Sequence, residues 1–476
     1  MSAADRPAEP WHPVPPIGRT LRRTALPQGA SGASAERGGT PSAAPTPDHR
    51  KRAAWSLPLV LLAALWVLVL SDVHIWLAQW GPTVLYRAPT FVYPLAGLAL
   101  LFSGKRLNPM RSLLAFVLAS FLSIPFAENN GIARDWVLKV LLLYYVMAVA
   151  SLTLVTRFRH VWFLLHLYLL QFLWFGLQAR PGPLGDTVVS WDPVVGNSDG
   201  FGPLMVIGSG FSYYFAMAAK EPRSRLLGWA AAAVSVIGAV ASMARGAFLG
   251  LLAVGAYVGF RSPNKAKTAG AIAVGGLLVA VGSAILFPGG RYWSEMSTIS
   301  SEGTESGTGA DRWGLWRTGV RTFAERPLLG VGAGNATIYA SRNLSAAELP
   351  AEYLNNEGRL SGRALHNIYV QVLAEFGLVG SLAFLGLLVD FWRRNGALRK
   401  PEFLEAWRSS GGGRLDLKPL SLALEAAMVG FLVNAIFYDM LYVPWLYCLL
   451  TLNAVVHGAC LAGMPTAPLR QRIRRA

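Results

Sequence analysis

Residues 301–335 read SEGTESGTGADRWGLWRTGVRTFAERPLLGVGAGN, and residues 363–380 read RALHNIYVQVLAEFGLVG. The first stretch is polar, glycine-rich and arginine-bearing. The second opens on a histidine and turns apolar within two residues. Nearly everything outside this pair is hydrophobic helix. One long polar segment set between unbroken apolar runs decides the fold class: all-α, polytopic and membrane-embedded, with a single large extramembrane loop.

Composition agrees. Only 14% of the 476 residues are charged, against about 25% in a soluble domain, and mean hydropathy is +0.39. The net charge of +17 does not point to nucleic acid, because Lys and Arg sit in short loops and tails between apolar runs, where they orient a membrane protein. Cys448 and Cys460 share one apolar stretch, roughly 18 Å apart along a helix, too far for a disulfide. No Cys/His spacing suits a metal, so neither metal nor cofactor is expected.

Residues 1–54 are rich in Pro, Ala, Gly, Ser and Arg and are expected to form a disordered basic cytoplasmic tail rather than a cleaved signal. Twelve spans are expected near 55–72, 83–102, 112–127, 133–155, 160–178, 201–219, 226–242, 245–260, 269–287, 368–391, 420–437 and 441–462. With the N-terminus inside, the inner loops carry Lys105, Arg106 and Arg111, then Arg157 and Arg159, then Lys220, Arg223 and Arg225, then Arg261, Lys265 and Lys267, then Arg393, Arg394, Arg399 and Lys400. A second basic cytoplasmic tail, 463–476, ends the chain. Short outer loops hold few cations, such as Arg134 and Arg180. That asymmetry follows the positive-inside rule and puts the loop 288–367, between spans nine and ten, outside. In a bacterium this is the periplasmic face of the inner membrane. The next largest outer segment, 179–202, is punctuated by Pro, Gly, Asn and Asp and reads as turns.

The loop should hold an amphipathic helix near 312–325. At about 100° per residue, Arg312, Leu315, Trp316, Gly319 and Phe323 share one face, and Arg317, Thr318, Arg321 and Glu325 the other. Arg317 and Arg321 then look solvated. Arg312 shares the apolar face and, beside a capping Asp311, sits at the helix start, where free N–H groups and a guanidinium together suit phosphate; pairing with a carboxylate or snorkelling to a headgroup is the plainer alternative. Arg245, in ASMARGAFLG, lies at a tight outer turn against the charge rule, so it reads as a functional candidate or as a headgroup or helix contact. Two arginines on one side suit a diphosphate without a metal. His366, where the chain re-enters the membrane, is a candidate general base, or merely an interfacial anchor. Asn367 could orient it or meet substrate. Glu375, about 14 Å further along the helix, reads as a structural pair rather than a catalyst. GVGAGN (330–335) is not a nucleotide fingerprint, since no strand precedes it; it reads as a tight turn whose backbone approaches substrate.

At these residues the chain resembles the O-antigen ligase and polymerase superfamily of bacterial envelope glycosyltransferases. ARGAFLGLL resembles the family's arginine-bearing helix start. DRWGLWRTGVRTFAERPLLGVGAGN resembles its loop motif of Arg, Trp, Pro and a Gly-x-Gly turn. LHNIYVQVLAEFGLVG resembles its His-Asn helix. The resemblance spans roughly 240–380. It implies a GT-C-type, metal-independent transferase that takes a glycan from undecaprenyl diphosphate and passes it to lipid A-core (a ligase) or to another lipid-linked repeat (a polymerase). Arg245 and Arg312 would then hold the diphosphate and His366 would serve as base, with Asn367, Trp316, Gly332 and Gly334 contacting substrate. The absence of a convincing nucleophile favours an inverting displacement. The acidic stretch between Asn335 and His366, with Glu348, Glu352 and Glu357, matches no family motif and is where acceptor choice could lie.

Two other classes stand beside this reading. A polar-lipid transporter or flippase would show internal repeats and broken helices with midplane charges; the sequence shows no repeat. An envelope-assembly scaffold would leave Arg245, Arg312 and His366 free to vary.

Overall fold

The apolar runs form helices because they are long, Leu- and Ala-rich and seldom interrupted by proline, while proline gathers at their starts. Pro58, Pro222, Pro401 and Pro444 all stand in the first turn of a helix, where the missing N–H costs nothing. The computed structural model describes residues 56–78, 81–181, 187–189, 195–261, 264–301, 307–344 and 364–464. Both tails, and Glu348, Glu352 and Glu357 of the acidic stretch, lie outside the described residues.

Helices cover each of the twelve apolar stretches. They are α1 (Leu57–Ser71), α2 (Ala88–Leu101), α3 (Arg111–Ser123), α4 (Asn130–Leu154), α5 (Phe158–Leu177), α6 (Ser198–Ala218), α7 (Pro222–Ala241), α8 (Arg245–Arg261) and α9 (Lys265–Leu286). After α10 (Arg291–Ser301), α11 (Gly307–Glu325) and α12 (Ala336–Asn343) come α13 (Ile368–Ala397), α14 (Pro401–Ser409), α15 (Leu417–Asn434) and α16 (Pro444–Gly463). Among the described residues, 7 helices can cross a membrane by length and composition: α4, α5, α7, α9, α13, α15 and α16. The other five covering helices are shorter or less apolar. Among the described residues the fold is all-α apart from one ribbon in the segment read as turns, where Arg180–Pro181 pairs antiparallel with Val188–Val189.

Nearly every residue of α6 is buried, which explains its modest hydropathy: it faces protein rather than lipid. Small residues let its neighbours close in, as in other membrane bundles. A Cβ on Gly210 would lie 2.9 Å from the Cβ of Ala426 in α15. Helix α9 is the opposite case, with only 6% of its apolar window buried and Ile272, Val274, Leu277 and Ile285 exposed. On the face read as cytoplasmic, Glu425 of α15 is buried between Arg399, Arg261 and the hydroxyl of Tyr257, so α15, α8 and the end of α13 are tied by one paired charge.

The described part of the polar loop holds three helices where the sequence points to one, and the expected helix begins earlier. Helix α11 starts at Gly307, so Asp311 is not its cap and Arg312 lies in its second turn, away from the free N–H groups. Its buried stripe is Leu315, Thr318, Gly319 and Thr322. Thr318 is buried, against the wheel's expectation, because its hydroxyl bonds back to Gly314 at 3.0 Å and needs no water. Arg317 and Arg321 are exposed, and Arg317 lies over the Trp313 ring at 5.3 Å.

The glycine string has a mechanical role. Helix α13 breaks at Gly377, whose φ is +60°. The carbonyls of Ala374 and Glu375 accept from Val331 N and Gly332 N at 3.0 and 2.9 Å, and Leu378 N and Val379 N donate to Pro327 and Leu328 at 2.8 and 3.1 Å. Residues 327–332 thus satisfy the backbone groups that the break frees. Gly330 is required there: its φ is +66° and a Cβ would lie 2.4 Å from the Glu375 backbone. Gly330→Ala is therefore expected to cost at least about 2 kcal/mol, from strain plus clash. Gly386→Ala, on the same helix with open space around it, should leave the melting temperature unchanged or raise it slightly. Thermal unfolding of the two variants in nanodiscs compares them; equal melting temperatures would contradict the docking.

Candidate functional site

The turn between α7 and α8 is tight. Met243 takes φ +55°, Ser242 Oγ accepts from Ala244 N, and Arg245 then opens α8. Of the two arginines, Arg245 is thus the one at a helix N-terminus. Its side chain is 18% exposed and leans onto α10, with Nε 3.6 Å from Glu295 and Nη1 donating to Thr298. The first N–H groups of α8, on Gly246 and Ala247, face the hydroxyl of Tyr438, and a Cβ on Gly246 would lie 2.6 Å from that oxygen.

Tyr438 follows α15 and is fully buried. Burial pushes its phenol well above the ordinary value, Asp199 adds to the rise, and Arg312 opposes it, so the hydroxyl stays protonated at neutral pH. The guanidinium of Arg312 lies over its ring, 5.6 Å from the centroid, a cation–π contact. Asp199 stands in the first turn of α6, which Asn197 caps by accepting from Gly200 N at 2.8 Å. Its carboxylate is 3.8 Å from Nδ1 of His366.

His366 takes φ +49°, a left-handed posture that is uncommon for a non-glycine residue. The strain is held from both sides. Asn367 caps α13, accepting from Tyr369 N and Val370 N at 2.9 and 3.1 Å, and Ile368 N donates to Ala435 at 2.9 Å. Asn367 thus spends its side-chain oxygen on the helix start. The start of α8, Arg312, Asp199 and His366 therefore gather around one tyrosine. Asp199 and Tyr438 carry no motif in the sequence; the one signal is that each follows a helix-capping or helix-ending segment at an outer turn.

Residues 230–385 match the family described as O-antigen ligase. That match supports placing this segment of the chain in the O-antigen ligase and polymerase superfamily. A search of curated proteins finds no match. The family implies a ligase- or polymerase-type glycosyltransferase acting on lipid-linked glycans. The O-antigen ligase match runs from within α7 into α13, so it contains Arg245, Arg312 and His366 but neither Asp199 nor Tyr438.

Within the matched segment the remaining candidates have structural neighbours. Trp316 is half-buried and edge-on to Trp313, with ring centroids 6.1 Å apart. Gly332, at φ +89°, packs on Ala127, and Gly334, at φ +69°, packs on Trp136; a Cβ would come within 2.3 and 2.4 Å of these neighbours. Glu375 is buried, takes a hydrogen bond from Tyr442, and has Gln371 Nε2 at 3.3 Å; these neutral partners stand where the sequence suggests a pair. Among the described residues no three His, Cys, Asp or Glu side chains are grouped as metal ligands.

A cavity of about 880 Å³ lies beside the cluster rather than on it, lined among others by Gly334, Leu365, Glu375 and Asp439. Arg245, Arg312 and His366 do not line it. Two short segments separate the compartments: Leu365 faces the cavity and His366 the cluster, and Asp439 faces the cavity and Tyr438 the cluster.

Proposed function

We propose that the protein transfers a glycan from undecaprenyl diphosphate to a hydroxyl of lipid A-core or of another lipid-linked repeat, at the periplasmic face of the inner membrane, with both termini cytoplasmic. The observation that carries this reading is the convergence on Tyr438 of Arg312, the N-terminus of α8 and the Asp199–His366 pair. Cationic groups and a helix N-terminus on one side, and a base on the other, are what a diphosphate leaving group and a hydroxyl nucleophile need.

In this reading the acceptor oxygen forms the new bond to the anomeric carbon while the carbon–oxygen bond to the diphosphate breaks. The acceptor proton passes to His366, whose orientation Asp199 holds. Arg312 and Arg245 compensate the charge that develops on the departing diphosphate, Arg245 exchanging Glu295 for phosphate as it does so. Fixed guanidiniums do here what a metal does elsewhere, and a single displacement inverts the anomeric centre. The break in α13 beside Glu375 is the feature a transporter reading would seize on. Residues 327–332 fill that break, which favours a fixed scaffold over a moving gate.

The lipid and polysaccharide profile of a deletion strain, complemented with wild type or with His366→Ala, tests the reading. Lipid A-core without its long glycan, alongside accumulated polymer on the carrier, identifies a ligase. Accumulated single repeats identify a polymerase. An unchanged profile of every envelope glycan would contradict both.

A further inference from the structure

The cavity beside the cluster is not explained by phosphate chemistry. Its lining brings together one exposed aromatic, Trp136, three carboxylates, Asp72, Glu375 and Asp439, and the amide of Gln371, while its two cations, Lys139 and Arg342, are paired with Asp135 and Glu128. Trp136 stacks on Tyr442 with centroids 4.3 Å apart and planes at 24°. It stands just before a π-helical turn, Val137–Leu141, that turns Lys139 and Val140 onto the same cavity; such turns recur at functional sites. Gln371 is 5% exposed, and its amide nitrogen faces Glu375, while its carbonyl oxygen has no hydrogen-bond partner among the described residues. The volume lies at the upper end of the range for small-molecule sites, about 300–1,000 Å³.

We infer that this cavity is a glycan-binding site, holding the sugar whose reacting end passes between Leu365 and Asp439 to the cluster. A tryptophan face offers a platform for the C–H face of a pyranose. Carboxylates and a half-satisfied amide accept from sugar hydroxyls. The inference rests on the transferase reading above for which end of the sugar reacts, but the site itself needs only sugar chemistry. The glycan could belong to the donor or to the acceptor, and the test separates them.

The full-length chain in nanodiscs is titrated with three probes. One is undecaprenyl diphosphate, which has no sugar. The others are lipid-free oligosaccharides released by mild acid, one pool from the carrier-linked glycans of the source cells and one from their lipid A-core. Trp136→Ala and Gln371→Leu are each expected to weaken binding of one oligosaccharide pool at least tenfold and to leave undecaprenyl diphosphate within twofold. Trp136→Phe, which keeps a ring, should restore most of the oligosaccharide affinity and so exclude simple unfolding. The pool that responds names the source: donor glycan or acceptor. If neither pool binds, or binding ignores both substitutions, the glycan site is overturned. If Arg312→Ala leaves undecaprenyl diphosphate binding intact, the diphosphate reading fails instead, whatever the sugars do.

Discussion

His366→Ala is expected to lower the transfer rate by about 10²- to 10⁴-fold, the range for loss of a general base, with the fold retained. The expectation rests on position. Nδ1 is 3.8 Å from Asp199, long for a hydrogen bond, as such contacts often are before substrate arrives. The backbone around the histidine is held at φ +49° by the Asn367 cap and the Ile368–Ala435 bond, and alanine keeps both. A purely structural anchor would show the reverse pattern, a lower melting temperature with a normal rate in the surviving protein. The acid limb of the wild-type pH–rate profile should also vanish in the variant, since a base must be unprotonated to work. Asp199→Asn, which leaves the imidazole in place, should lose less than His366→Ala. Rates and melting curves on the same nanodisc preparations separate these outcomes.

Arg312→Ala should cost about 10²- to 10³-fold in transfer, the range for a fixed group that stabilises developing negative charge. Arg312→Lys should recover only part of it, because lysine keeps the charge and loses the planar, bidentate grip. The two arginines are not equivalent. Arg312 lies on an aromatic face, with no carboxylate within salt-bridge distance among the described residues. Arg245 is engaged by Glu295 and Thr298, so a phosphate must displace that partner. Arg245→Ala is therefore expected to cost less than Arg312→Ala. Glu295→Gln should lower the KM for the lipid-linked donor rather than raise it. Steady-state kinetics in donor concentration checks both; a raised donor KM in Glu295→Gln would mean that α10 holds Arg245 ready instead of holding it back.

The helices are legible because membrane burial writes itself into long apolar runs, and the placing of Arg245, Arg312 and His366 at or beyond the ends of those runs points to chemistry. Three things were not legible. The start of α11 is hidden because Asp311 has the composition of a cap and only the backbone shows that the helix already runs through it. A helical wheel places Thr318 on the wet face because it cannot see a hydroxyl bonding to its own helix. Asp199 and Tyr438 were missed because their meaning lies in a meeting of α6 with the turn after α15, and residues that far apart leave no shared period. The glycine string was read as a turn, yet its partner, the break at Gly377, is nearly fifty positions away and also looks ordinary in sequence.

If the cluster around Tyr438 carries the transfer, undecaprenyl diphosphate is released as each glycosidic bond forms. The direct measurement is to incubate the nanodisc-embedded protein with carrier-linked glycan and acceptor extracted from the source cells, and to count both products. One undecaprenyl diphosphate per new glycosidic bond in wild type, with both products lost together in His366→Ala and Arg312→Ala, is the predicted result. New glycosidic bonds formed without release of the diphosphate, or release that is indifferent to both substitutions, would contradict it.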